Sequence, residues 1–142
     1  MRDNMGLYHA KRTYNGKWVE GCLVVTPQGD AYIISTAETK RDVNVLINQC
    51  SLNVDPKTIG QYTGLTDRNG KRIFEGDICK FKRFNDVHIG KVVFNVTTAS
   101  FIMWYQPIVG AYGEKATQKM LLSVCDNIEV VGNIHDNPEL LR

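Results

Sequence analysis

Along most of this chain apolar and polar residues alternate with a period of two, and one stretch breaks to a helical period. Strand-like runs from Leu7 to Tyr14 ("LYHAKRTY") and from Lys17 to Thr26 ("KWVEGCLVVT") flank Asn15-Gly16. That pair predicts a tight type I′ hairpin, because both central residues of the turn need φ > 0. "PQGD", Pro27 to Asp30, predicts a second turn and "AYIIS", Ala31 to Ser35, a third strand. The N-terminal part therefore reads as an antiparallel meander. In "STAETKRDVNVLINQC" the residues Val43, Leu46, Ile47 and Cys50 fall at i, i+3, i+4, i+7, and Ser35 stands in capping-box relation to Glu38. This predicts a short amphipathic helix near 39–48, with a β-branched "VNVLI" strand as the alternative.

"NVDPKTIG", Asn53 to Gly60, reads as a connector with a proline-initiated turn. Strands are expected again at "GKVVFNV" (Gly90 to Val96), where Val92, Phe94 and Val96 share a face, and at "SFIMWYQP" (Ser100 to Pro107). "MLLSVCD" suits one helical turn, "NIEVVGNI" (Asn127 to Ile134) a last strand, and no strand continues past Pro138. The predicted fold is mostly β, all-β with one or two short helices. It has an N-terminal β subdomain over 1–60 and an SH3-like small barrel over 61–142.

The stretch "QYTGLTDRNGKRIFEGDICKF", Gln61 to Phe81, carries the densest chemistry. A calcium loop fails on spacing: counted from Asp67, the glycine comes too early, Lys71 stands at a ligand position and no glutamate stands at the twelfth position. A phosphate loop fails because no helix follows the glycines. A hairpin fits: Asp67 bonds the turn backbone, Asn69 tolerates a left-handed conformation, and Gly70 supplies φ > 0 at the exit. "EGD" then makes a second sharp turn at Gly76 and launches "ICKFKRF". Glu75 and Asp77 read as exposed or capping turn residues; as a hydrolytic carboxylate pair they lack an accompanying nucleophile or histidine.

Arg68, Lys71, Arg72, Lys80, Lys82 and Arg83 crowd the same hairpin, with Phe81 and Phe84 interleaved. Lys80 and Lys82 belong to one strand face and Phe81 to the other. Cations among aromatics on a small barrel are the chemistry of single-strand nucleic-acid binding. The plainer reading is a solvated edge whose lysines discourage aggregation.

The 142 residues carry a formal net charge of only +2, which permits a nucleic-acid partner without demanding one. Cys22, Cys50, Cys79 and Cys125 form no close pair, so no metal site is expected, and Cys22 and Cys79 read as small buried apolar groups. The histidines, His9, His88 and His135, stand apart without a hydrolase motif around them. Trp18 and Trp104 read as core or interface anchors, Trp18 as core. With no signal-peptide pattern at "MRDNMGLYHA" and no run long enough to span a bilayer, a cytoplasmic location is expected.

The chain resembles the YopX family of phage and prophage proteins. The resemblance rests on "QYTGLTDRNGKRIFEGDI", on "GKVVF" and on "IEVVGNIHDNPELL", and extends to "LYHAKRTYNGKWVEGCLV" and "VDPKTIGQYTG". The motif positions are Tyr62, Gly64, Asp67, Gly70, Glu75, Gly76, Asp77, Gly132, Asn133 and Pro138; His135 stands where the family often has an aromatic residue. The resemblance implies a mostly β protein of temperate phages or integrated elements with an SH3-like C-terminal part. It brings no catalytic residues and no cofactor. The function expected is a non-enzymatic binding or assembly module that acts through protein partners or self-association. Single-strand binding by the Arg68–Arg83 cluster is the alternative.

Overall fold

The structure is a computed structural model that describes residues 6–35, 51–83, 85–106 and 118–141. The helix expected over 39–48, Cys50 and Phe84 lie outside the described residues. The mostly β expectation is what forms: two antiparallel sheets, one of them a half-barrel, with only short 3-10 turns among the described residues. The chain divides into two compact units, Met1–Tyr62 and Thr63–Arg142.

In the first unit β1 (Leu7–Lys11), β2 (Trp18–Val25), β3 (Ala31–Ser35), β4 (Ser51–Val54) and the start of β5 (Gly60–Thr66) pair in the order β4-β3-β2-β1-β5. The register sets Ala10 opposite Val19, Leu23 opposite Ile33 and Ala31 opposite Val54. Directly paired residues share a sheet face, so this pattern collects the core of Ala10, Ala31, Ile33 and Val54. Cys22 falls on the opposite face and is exposed, not buried as its apolar neighbours suggested. Trp18 lies on that face too: it is half-buried, 4.4 Å from the His9 ring centroid, with Lys11 Nζ 5.6 Å from its ring.

The Asn15-Gly16 hairpin forms with a different turn from the one expected. Lys11 pairs with Trp18, Arg12 N–H donates to the Lys17 carbonyl at 2.9 Å, and Gly16 N–H donates to the Arg12 carbonyl at 2.8 Å. Of the loop residues only Gly16 has positive φ (+67°); Asn15 instead accepts the Lys17 N–H on Oδ1 at 3.0 Å. A four-residue loop needs one left-handed residue, and the asparagine acts through its side chain. The supposed connector after Leu52 also holds β4, followed by a 3-10 turn at Pro56–Thr58 capped by Asp55.

The second unit holds the rest of β5, β6 (Arg72–Phe74), β7 (Asp77–Arg83), β8 (Asp86–Asn95), β9 (Ser100–Tyr105), β10 (Gln118–Leu121) and β11 (Asp126–Asn133). The last five pair in the order β10-β9-β8-β7-β11. Ile73, Cys79, Phe81, Val92, Met103, Tyr105, Leu122 and Ile128 form its core, and Phe81 meets Tyr105 edge-on at 5.0 Å. Each large apolar side chain taken out of water in this way contributes about 1.5–3 kcal/mol before chain entropy is counted. β8 begins at Asp86, earlier than the alternation from Gly90 implied. Of the three residues expected to share a face, only Val92 is buried; Phe94 is 42% exposed and Val96, past the strand end, 83%.

Candidate functional site

The site is built on the turn at Asp67. Asp67 N–H donates to the Lys71 carbonyl at 2.7 Å, Gly70 N–H donates to the Asp67 carbonyl at 3.0 Å, and Gly70 has φ +81°. The buried carboxylate holds the rest. Its Oδ1 accepts the N–H groups of Asn69 (2.8 Å) and Lys71 (2.9 Å), and its Oδ2 accepts that of Val130 on β11 at 3.0 Å. Burial alone would raise its pKa, but the three N–H donors and the Lys71 charge outweigh it and hold the carboxyl below the usual aspartate range. Beside it, Arg68 N–H donates to the Ile128 carbonyl at 2.8 Å. The outer edge of β11 is thereby sealed at residues 128–130, and Arg68 is fixed next to it.

β11 carries an extra residue there. Asp126 pairs with Lys82 and Glu129 with Lys80, so three steps on β11 match two on β7, and Asn127 takes a left-handed φ of +51°. A bulge of this kind re-aims side chains at a sheet edge. It opens a cleft of about 170 Å³ lined by Arg68, Lys80, Phe81, Lys82, Val87, Asn127 and Glu129.

Of the six cations expected to act together, Arg68, Lys80 and Lys82 line this cleft. Lys71 and Arg72 are exposed on the returning arm of the hairpin, and the Arg83 guanidinium donates to the Tyr105 hydroxyl. Phe81 is buried in the core, as its place on the other face of β7 required. Its ring meets Tyr105 and His88, and no base can stack on it. The acids are interleaved with the bases: Glu129 stands across from Lys80, Asp126 from Lys82 and Asp86 from Arg83. On the same face as the two lysines, Val87 pairs with Lys82 and Ile89 with Lys80, and these apolar side chains are 42% and 41% exposed.

The remaining carboxylates and thiols are built into turns and core. Of the two roles expected for it, Asp77 takes the capping one: it is buried, and its Oδ2 accepts the Phe74 N–H at 2.9 Å across the Gly76 turn. Burial, with Asp77 and Asp67 nearby, pushes the Cys79 thiol far up, and burial beside Asp126 pushes Cys125 up to about 11 although Arg83 opposes it. Both are thiols at neutral pH, and a thiol is a poor nucleophile. Among the described residues no three His, Cys, Asp or Glu side chains are grouped to hold a metal ion.

The two halves of the sequence motif meet in this unit. Gly76 N–H donates to the Val92 carbonyl, and Ile134 N–H donates to the Gly76 carbonyl, both at 2.9 Å. The family model described as YopX protein matches residues 7–142. The chain belongs to the YopX family. No curated protein sequence matches it. Among solved structures it is similar to the crystal structure of protein EF1440 from Enterococcus faecalis, with 21% identity, 95% of this chain and 96% of that chain covered, and a TM-score of 0.49.

Several YopX motif residues have visible backbone roles here. Gly64, Gly70 and Gly76 all have positive φ, and Asp67 and Asp77 bind turn amides. A Cβ on Gly132 would lie 2.5 Å from Asn137 Oδ1, while Asn133 Oδ1 accepts the N–H groups of His135 and Asp136. Pro138 opens the closing 3-10 turn, Glu75 is half-buried beside Gly76, and Tyr62 is half-buried in β5. The cleft residues that sequence reasoning missed are Val87, Asn127 and Glu129. The alternation of "DVHIGKVVF" already placed Val87 and Ile89 with Lys91 on one face. No local signal marks Asn127 as a bulge or sets Glu129 against Lys80, since both depend on the pairing of distant strands.

Proposed function

We propose that this YopX-family chain is a non-enzymatic accessory protein of a phage or prophage. On this reading it is a β-rich binding module with an SH3-like second unit, acting in the host cytoplasm through protein contacts. One observation carries it: the outer face of β7, β8 and β11 sets Lys80, Lys82 and Arg68 beside exposed Val87 and Ile89 and beside Glu129. A mixed patch of apolar and oppositely charged groups suits a protein surface better than a phosphate backbone, which favours charge of one sign. A second copy of the chain is one partner the test admits.

The test compares capture from induced or infected lysate by the wild type and by Ile89→Asp, with light scattering on both. Ile89 is exposed on a paired strand, so the variant should fold. Loss of a captured protein, or of self-association, in the variant is the expected result; identical capture by both would overturn the reading. A second reading, single-strand binding, is favoured by the meeting of Arg68, Lys80 and Lys82. It requires affinity for an oligothymidylate that falls steeply with salt through counterion release.

A further inference from the structure

The protein-contact reading leaves the chemistry of the partner open, and on that reading we propose that the cleft between β7 and the β11 bulge takes an aspartate or glutamate side chain of the partner, with an adjoining apolar residue seated on Val87 and Ile89. Three cationic side chains line the cleft against one anionic one, so its complement is an anion. The Arg68 backbone is tied to Ile128, and the neighbouring Asp67 carboxylate to Val130. The base of Arg68 is therefore placed before any partner arrives. From that fixed backbone the Arg68 side chain reaches the cleft lining, where its guanidinium offers a fork matched to a carboxylate, while Lys80 and Lys82 supply point charges.

Size and surroundings restrict the guest. A cleft of about 170 Å³ has room for a carboxylate and its short stem. Phe81 is buried, so the cleft presents no ring for a base to stack on. The sealed β11 edge at 128–130 has its Val130 N–H and Ile128 carbonyl already bonded, so a partner cannot add a strand there. It must approach the face of the sheet with side chains. There the first apolar groups beside the lysines are Val87 and Ile89.

The probe is an N-acetylated peptide of alternating glutamate and leucine, titrated into isotope-labelled protein and followed by amide chemical shifts. The glutamine–leucine peptide and an oligothymidylate are the controls. The expected result is movement of the amides of Lys80, Lys82, Val87 and Asn127 by the acidic peptide alone. Lys80→Glu with Lys82→Glu should weaken it about tenfold, as loss of complementary charge at an interface does. Glu129→Gln removes the one opposing charge and should tighten it about threefold; a misfolded variant cannot produce that gain. Equal binding of the glutamine–leucine peptide, shifts confined to other residues, or tighter binding of the oligothymidylate at these amides would each overturn the proposal. If Ile89→Asp loses lysate capture while the double lysine variant keeps it, the acidic guest is wrong and the binding module stands. If both variants capture as the wild type does, both ideas fall.

Discussion

The two halves of β7 differ in what covers them. Asp77, Ile78 and Cys79 are buried in succession, so both faces of the strand are enclosed there. From Lys80 to Lys82 burial alternates: the lysines are exposed and Phe81 is 1% exposed. The first half continues the "EGDI" motif and is committed to holding the fold. The second half has one face in the core and one exposed. Charge density in the sequence does not separate these roles; coverage by neighbouring strands and turns does.

The sharpest way to break the contrast is inside the second half, at its buried member. Phe81→Ala should destabilise the protein by about 4 kcal/mol, from lost apolar transfer and the cavity left among Tyr105, His88 and Val92. Urea denaturation measures it. A change below about 1 kcal/mol would mean that Phe81 is not the core residue its burial indicates.

Asp67 tests the turn that closes the site. Asp67→Asn keeps an acceptor oxygen but removes the charge and leaves at least one of three N–H groups poorly satisfied, for an expected loss of about 2 kcal/mol near neutral pH. The sign with pH follows from its lowered folded pKa. The unfolded chain binds the proton more readily, so the carboxylate's contribution is present above the ordinary aspartate pKa and is lost as pH falls through the folded value. Wild type and Asp67→Asn should therefore converge in stability on acidification. A gap that stays constant down to strongly acidic pH would show that the charge contributes nothing.

Gly76 comes next in size. Its φ of +93° strains any side chain, while the nearest neighbour to an added Cβ is Ile134, at an ordinary 3.7 Å. Gly76→Ala should cost about 1–2 kcal/mol through backbone conformation alone. Thermal unfolding of Gly76→Ala against the wild type reads this, and an unchanged midpoint would mean that the turn can relax.

What could be read from the sequence was whatever local chemistry fixes. The strands at Trp18–Val25 and Ala31–Ser35, the turn at Asp67–Gly70 with its aspartate and glycine roles, and the opposite faces of Phe81 and Lys80 all follow from period two and turn stereochemistry. Burial in the meander was less legible. Cys22 and Trp18 sit among apolar residues, yet both lie on the face opposite Ala10 and Ile33, a parity that only the register with β1 and β3 decides. The cleft was half legible. Its lysines stand in the sequence, but the carboxylates facing them arrive on β11, with the bulge that sets their spacing.

The smallest expected effect bears most directly on the division of β7. Lys80→Ala with Lys82→Ala removes two exposed side chains whose cross-strand neighbours include Glu129, Asp126, Ile89 and Val87. Exposed charge pairs contribute little to folding because water and salt screen them and ordering long side chains opposes the attraction. Stability should therefore stay within about 0.5 kcal/mol of wild type in urea denaturation. A loss several times larger would show that the lysines hold the β7–β11 pair together, and the second half of the strand would then be scaffold like the first. A stability change near zero, together with loss of the acidic peptide's binding, is the result that keeps the two halves distinct.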